Sequence, residues 1–193
     1  MPDETNFPPD QIRDFIIAAH GNLPRVREML AREPGLLNVR QYWSNDDSES
    51  AIQAAAQVGS APVAEYLLEK GAPLEICTAA MLGRKEIVER MLDEDPSLIE
   101  ARGAHGIPLM PHAAMSSSVA LAKMLFERGA TAGMSHALGN AVMHGDAGMA
   151  RWILETGQAD PDWKDYEGKS LTAIARSTGT REMIELLGEH GVK

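Results

Sequence analysis

The stretch Ala141-Val142-Met143-His144-Gly145-Asp146, followed by Met149, Ala150, Ile153, Leu154 and Gly157, decides how the chain reads. Small and apolar residues run into a glycine, then a helix-capping residue, then apolar residues at i, i+1, i+4 and i+5. A glycine at that place ends one helix in a backbone conformation that a Cβ penalises. Asp146 then offers a side-chain oxygen to the orphan amides of the next helix. The paired apolar residues make a single stripe along that second helix. The segment therefore reads as helix, turn, helix.

The same order recurs along the chain. Phe15-Ile16-Ile17-Ala18-Ala19-His20-Gly21-Asn22 precedes Val26, Met29 and Leu30, and Ala55-Ala56-Gln57-Val58-Gly59-Ser60 precedes Val63, Ala64, Leu67 and Leu68. Ala79-Ala80-Met81-Leu82-Gly83 precedes Ile87, Val88, Met91 and Leu92, with Arg84 where the other copies have a cap. Ala113-Ala114-Met115-Ser116-Ser117-Ser118 precedes Leu121, Ala122, Leu125 and Phe126. Ala175-Arg176-Ser177-Thr178-Gly179-Thr180 precedes Met183, Ile184 and Leu187. The turn falls at positions 21, 59, 83, 117, 145 and 179. Segments 38–50, 101–108 and 158–170 are rich in Asp, Asn, Gly or Ser and read as projecting turns or hairpins. Copies three and five have no room for one. Glu33-Pro34 and Asp95-Pro96 stop second helices, because a residue before proline avoids the helical region.

Six such copies in register resemble the ankyrin repeat family. Asp165-Tyr166-Glu167-Gly168-Lys169-Ser170-Leu171-Thr172-Ala173-Ile174-Ala175 follows the family's hairpin, glycine and Thr-Pro-Leu-His-type helix start, with Ser and Leu in place of Thr and Pro. Gly106-Ile107-Pro108-Leu109-Met110-Pro111-His112-Ala113-Ala114 and Ser50-Ala51-Ile52-Gln53-Ala54-Ala55-Ala56 follow it more loosely. The resemblance implies an all-α, ankyrin-type solenoid of about six helix-turn-helix repeats with short or missing hairpins. The expected repeats are 11–40, 41–73, 74–102, 103–131, 132–164 and 165–193, after a flexible lead-in over 1–10. Each repeat buries its face on its neighbours.

Composition narrows the function. The chain has 193 residues, 44% of them hydrophobic and 24% charged, which suits one folded domain. Its formal net charge of −10 argues against nucleic acid and against an anionic membrane surface as partners. The lone Cys77 allows no internal disulfide and no multi-cysteine metal site. The acidic, proline-containing start has no signal-peptide pattern, and no apolar run approaches a membrane span, so a cytoplasmic protein is the expectation. No nucleophile elbow, phosphate loop or His-Glu-x-x-His motif occurs, and a non-enzymatic role without cofactor or metal follows.

The resemblance implies a partner protein or peptide bound by the hairpin tips and the exposed ends of the first helices. The candidate residues are Gln57, Met81, Leu82, Met115, Met143 and His144 at helix ends, with Tyr42, Trp43, Asp46, Asp47, His105, Trp163, Tyr166 and Glu167 on hairpin segments. Met81, Met115 and Met143 share one repeat position. They form either an adaptable exposed stripe or filling for gaps left by missing hairpins. Trp43 and Trp163 are either anchors or braces at the hairpin bases, and the surrounding acids favour a partner with basic and apolar residues. Tyr66, Met124 and Trp152 share a position on the second helices and read first as inter-repeat packing. A rival reading is a small-molecule or metal sensor in a groove near Met81, Met143 and His144. His105 with His112, or His136 with His144, match no zinc spacing.

Overall fold

The turn glycines do what their positions require. Gly59, Gly83, Gly145 and Gly179 have φ between 69° and 74°, and Ser117 takes the same left-handed conformation at φ 57°. In three of these turns the chain folds back on the helix end, with Ser60, Arg84 and Asp146 donating their amides to the carbonyls of Ala55, Ala79 and Ala141. Asn22, Ser118 and Asp146 then cap the following helices by accepting from Arg25, Leu121 and Met149 amides.

The computed structural model describes residues 7–192. Among them stand twelve α-helices: α1 Pro9–Ala19, α2 Leu23–Arg32, α3 Ala51–Gln57, α4 Ala61–Glu69, α5 Ile76–Met81, α6 Lys85–Glu94, α7 Leu109–Ala114, α8 Val119–Glu127, α9 Met134–Met143, α10 Ala147–Glu155, α11 Leu171–Thr178 and α12 Arg181–Glu189. Short 3-10 turns at Pro34–Asn38 and Pro96–Glu100 follow the expected proline stops. The fold is thus mostly helical, with one two-stranded sheet. The lead-in expected over 1–10 lies outside the described residues as far as residue 6, and α1 already begins at Pro9.

Each odd-numbered helix packs against the even-numbered helix that follows it and against the next odd-numbered helix. The apolar stripes meet in two buried clusters. One gathers Phe15, Ile16, Leu36, Ile52 and Leu67; the other gathers Leu109, Met110, Leu121, Leu138, Met149 and Ile153. Burying each of these side chains contributes about 1.5–3 kcal/mol.

The expected projections differ from one another. Segment 38–50 is a true hairpin, β1 Arg40–Ser44 against β2 Asp47–Ser50, closed by Asn45 and Asp46. Its register slips between Tyr42 and Ser44, so Trp43 sits on a bulge. Segments 101–108 and 158–170 keep only single antiparallel bridges, Arg102 with Pro108 and Lys164 with Ser170. The first of these contains a 3-10 turn, Ala104–Gly106, that packs on β2 and α3.

That contact skips the third helix pair and explains its character. Pair three has no hairpin of its own, and all six residues of α5 are buried. Pairs two and four close over it. His112 on α7 donates Nδ1–H to the Ala56 carbonyl on α3 at 3.2 Å, and the Gly59 turn lies against Met115 and His144.

Candidate functional site

Met81 is the clearest correction to the expected methionine stripe. It is 3% exposed, because pairs two and four enclose α5. Met115 and Leu82 are half-buried against the same cluster, and only Met143, 47% exposed, presents thioether to solvent. The groove expected at Met81, Met143 and His144 therefore lacks its first wall. His144 is exposed and its ring rests on the Gly59 turn.

Of the two readings for Trp163, anchor or brace, the structure shows the brace. Its ring packs on α9 where Gly139 leaves room, and any Cβ at 139 would collide with it. It stacks on His136 with ring centres 5.9 Å apart. Burial there pulls the His136 imidazole below its ordinary range. Tyr166 stands beyond this brace and is 94% exposed. Asp165 accepts the amides of Glu167 and Lys169 at 2.9 and 2.8 Å, which shapes the tip, and Glu167 pairs with Lys169.

Trp43 and His105, with Asp47 behind His105, converge on Glu49, which the sequence marks only as one acid among several around the hairpin aromatics. Glu49 on β2 is fully buried. The bulge turns the Trp43 indole so that its N–H donates to Glu49 Oε1 at 2.7 Å. Arg13 of α1 lies over the same indole, 5.9 Å from its centre. Glu49 Oε2 receives no hydrogen bond. Two imidazoles face that oxygen: His20 Nε2 from the end of α1 and His105 Nε2 from the 101–108 loop, each 3.7 Å away. Gln57 Oε1, at the end of α3, lies 3.2 Å from His20 Nε2.

The other ring nitrogens are both engaged. His20 Nδ1 lies 3.0 Å from the Ile16 carbonyl, and His105 Nδ1 lies 2.7 Å from Asp47 Oδ2. Asp47 Oδ2 is a pure acceptor, so His105 Nδ1 donates to it; His20 faces an acceptor with each ring nitrogen, the Ile16 carbonyl and Gln57 Oε1. His105 holds this place with φ 53°, a conformation that costs a non-glycine residue about 1–2 kcal/mol. Asp46 stays exposed at the turn and Tyr42 is exposed on β1.

His105 thus meets Asp47 and Glu49, not His112. His112 is fully buried under pairs two and four, and burial pushes its imidazole down to about 4. Cys77 is buried on α5, and desolvation drives its thiol up to about 12, which removes it from nucleophilic chemistry.

Among the described residues, the large apolar side chains left exposed are Ile17, Tyr42, Trp43, Val58, Met143 and Tyr166. All six lie on odd-numbered helices, at their ends or on the segments that precede them. On the second helices Trp152 is half-buried and meets Phe126 edge-on at 5.9 Å, and Tyr66 is covered by Arg27 and Lys70. Val58 belongs to the helix-end pair Gln57-Val58 expected at the surface, whereas Ile17 was missed because the other copies put alanine at its position. No protein-family model matches the chain, and no curated protein matches it in sequence. No helix among the described residues is long and apolar enough to cross a membrane.

Proposed function

We propose that the chain is an ankyrin-type helical solenoid that binds a partner protein through the ends of its first helices and its hairpin tips. One observation carries the reading: among the described residues, the large exposed apolar side chains all lie on the first helices, at their ends or on the segments leading into them. A surface kept apolar on one class of element and covered on the other marks where a partner sits. The helix contacts, pair to pair in succession, support the solenoid part of the reading.

The partner segment carries apolar residues flanked by Lys or Arg. Asp46, Asp160, Asp162 and Glu167 are exposed around Tyr42 and Tyr166, and the net charge is −10. Those acids steer a basic partner and reject acidic ones. Packed helices and braced loops hold the anchors in place beforehand, so little ordering entropy opposes association. The protein acts here as a non-catalytic scaffold.

The test begins with affinity purification from the native cell and confirmation of a purified partner. Its Kd is then measured against Tyr42→Ala, Met143→Ala and Tyr166→Ala. At least one of these is expected to weaken binding tenfold or more, with the loss of affinity at high salt that charge steering implies. Unchanged affinity in all three variants refutes the proposed surface.

A further inference from the structure

The first helix and the hairpin hold a cation that meets no anion. Arg13 of α1 is exposed and lies over the Trp43 indole, 5.9 Å from its centre. Among the described residues it enters no ion pair, whereas Arg25, Arg32, Arg84 and Arg128 all do. Its own helix does not supply a carboxylate. Asp10 and Asp14 line the groove between α1 and α2 with Arg25 and Arg32, and so turn toward α2 instead of the hairpin. Glu49 is buried and takes the indole N–H.

The apolar surroundings of Arg13 are fixed and open. The bond from Trp43 to Glu49 Oε1, 2.7 Å long, keeps the indole from swinging, and 38% of the residue stays open to solvent. Ile17 sits one helical turn beyond Arg13 on the same face of α1 and is 51% exposed. Val58 continues the row. It follows Gln57, whose Oε1 lies 3.2 Å from His20 Nε2 at the end of α1, and it too is exposed. Trp43, Ile17 and Val58 thus stand in one row with the unpaired guanidinium.

We propose that Trp43, Arg13, Ile17 and Val58 form the docking surface for a partner segment that sets an Asp or Glu carboxylate on Arg13 and an apolar side chain against Ile17. This rests on the partner-binding role proposed above and adds one acid to a segment otherwise basic and apolar. A guanidinium laid on an indole has already given up water on one face, and its edge still offers N–H donors in a fixed fork that matches a carboxylate. Apolar side chains packed around the pair exclude water and raise its worth above that of an exposed ion pair. The acid also sets the direction of the partner. A basic residue at this spot meets Arg13 head-on, whereas Asp160, Asp162 and Glu167, exposed near the other end of the chain, accept one.

The experiment displays random peptides of about 12 residues, ~40 Å when extended, to the full-length chain, and measures the enriched sequences as synthetic peptides by fluorescence anisotropy. They are expected to carry an Asp or Glu close to a large apolar residue. Arg13→Gln and Ile17→Asp, both at exposed positions, are expected to keep the parent's circular dichroism and to weaken binding tenfold or more. Changing the peptide's acid to its amide is expected to cost as much in the parent and nothing further in Arg13→Gln. The proposal is overturned if no peptide is enriched, if the enriched peptides are basic and lack an acid, if the amide binds the parent as well as the acid, or if Arg13→Gln binds as well as the parent. Sedimentation that finds the parent dimeric and Ile17→Asp monomeric overturns it too, because a second copy then covers the row. Peptides that ignore Arg13→Gln and Ile17→Asp but lose affinity with Met143→Ala or Tyr166→Ala sink this surface and leave the wider reading standing. Peptides that ignore all four variants sink both.

Discussion

Acid sensitivity centred on His112 is the sharpest consequence of the way pairs two and four close over α5. The unfolded imidazole titrates near 6.5, whereas burial lowers it to about 4 in the folded chain. Between those values the unfolded chain binds the extra proton, so stability is present above pH 6.5 and is lost as pH falls toward 4. The full gap is worth about 3 kcal/mol at 1.4 kcal/mol per pH unit. By pH 5 about 2 kcal/mol of it has gone, a drop of roughly 4–8 °C in melting temperature for a chain of this size. Urea denaturation from pH 7.5 to 4.5 measures it, with His112→Gln as the comparison, since glutamine still offers an N–H to the Ala56 carbonyl. The variant is expected to be less stable than the parent at pH 7.5 and to converge on it by about 2 kcal/mol at pH 5. His136 also loses affinity for protons on folding through burial, and its charge bears on His112, so the difference between the two proteins reports the pair. Parallel pH curves for the two proteins refute the burial argument.

Three further outcomes follow from packing. Gly103→Ala places a Cβ 2.5 Å from His112 Nε2 in a ring that cannot retreat, and is expected to destabilise by about 1–3 kcal/mol, a loss that thermal melts should find relieved when His112→Ala is added. A double-mutant cycle of Trp152→Ala with Phe126→Leu is expected to give a coupling of about 0.5–1.5 kcal/mol from their edge-on contact, and a zero coupling removes the packing role of Trp152. Cys77 is expected to resist a thiol reagent in the native chain and to react on unfolding, because its thiol is buried and raised to about 12; labelling at native rates refutes the placement of α5.

Helix pairs were legible because their punctuation is chemical. A backbone that must turn left-handed asks for glycine, and five of the six turns have it, while Ser117 shows that a small polar residue serves when the rest of the turn holds it. The stripes of Val63, Leu67, Leu121, Leu125, Met149 and Ile153 were legible because burial repeats with the helical period. What escaped was long-range. The repeat position of Met81 left it between surface stripe and gap filling, and the closing of pairs two and four over α5 is what buries it. Glu49 was one acid among several in a hairpin, and nothing local marks it as the one that turns inward. His105 was one histidine on a projecting loop, and only the crossing of that loop over pair three brings it to Asp47.

The short α5 limits what can be reached around it. Pair three carries no hairpin, and the six residues of its first helix are all buried; beside it the Gly59 turn rests against Met115 and His144. Pair three therefore offers no projecting segment of its own, and anything that reaches this stretch of the chain meets the loops of its neighbours instead.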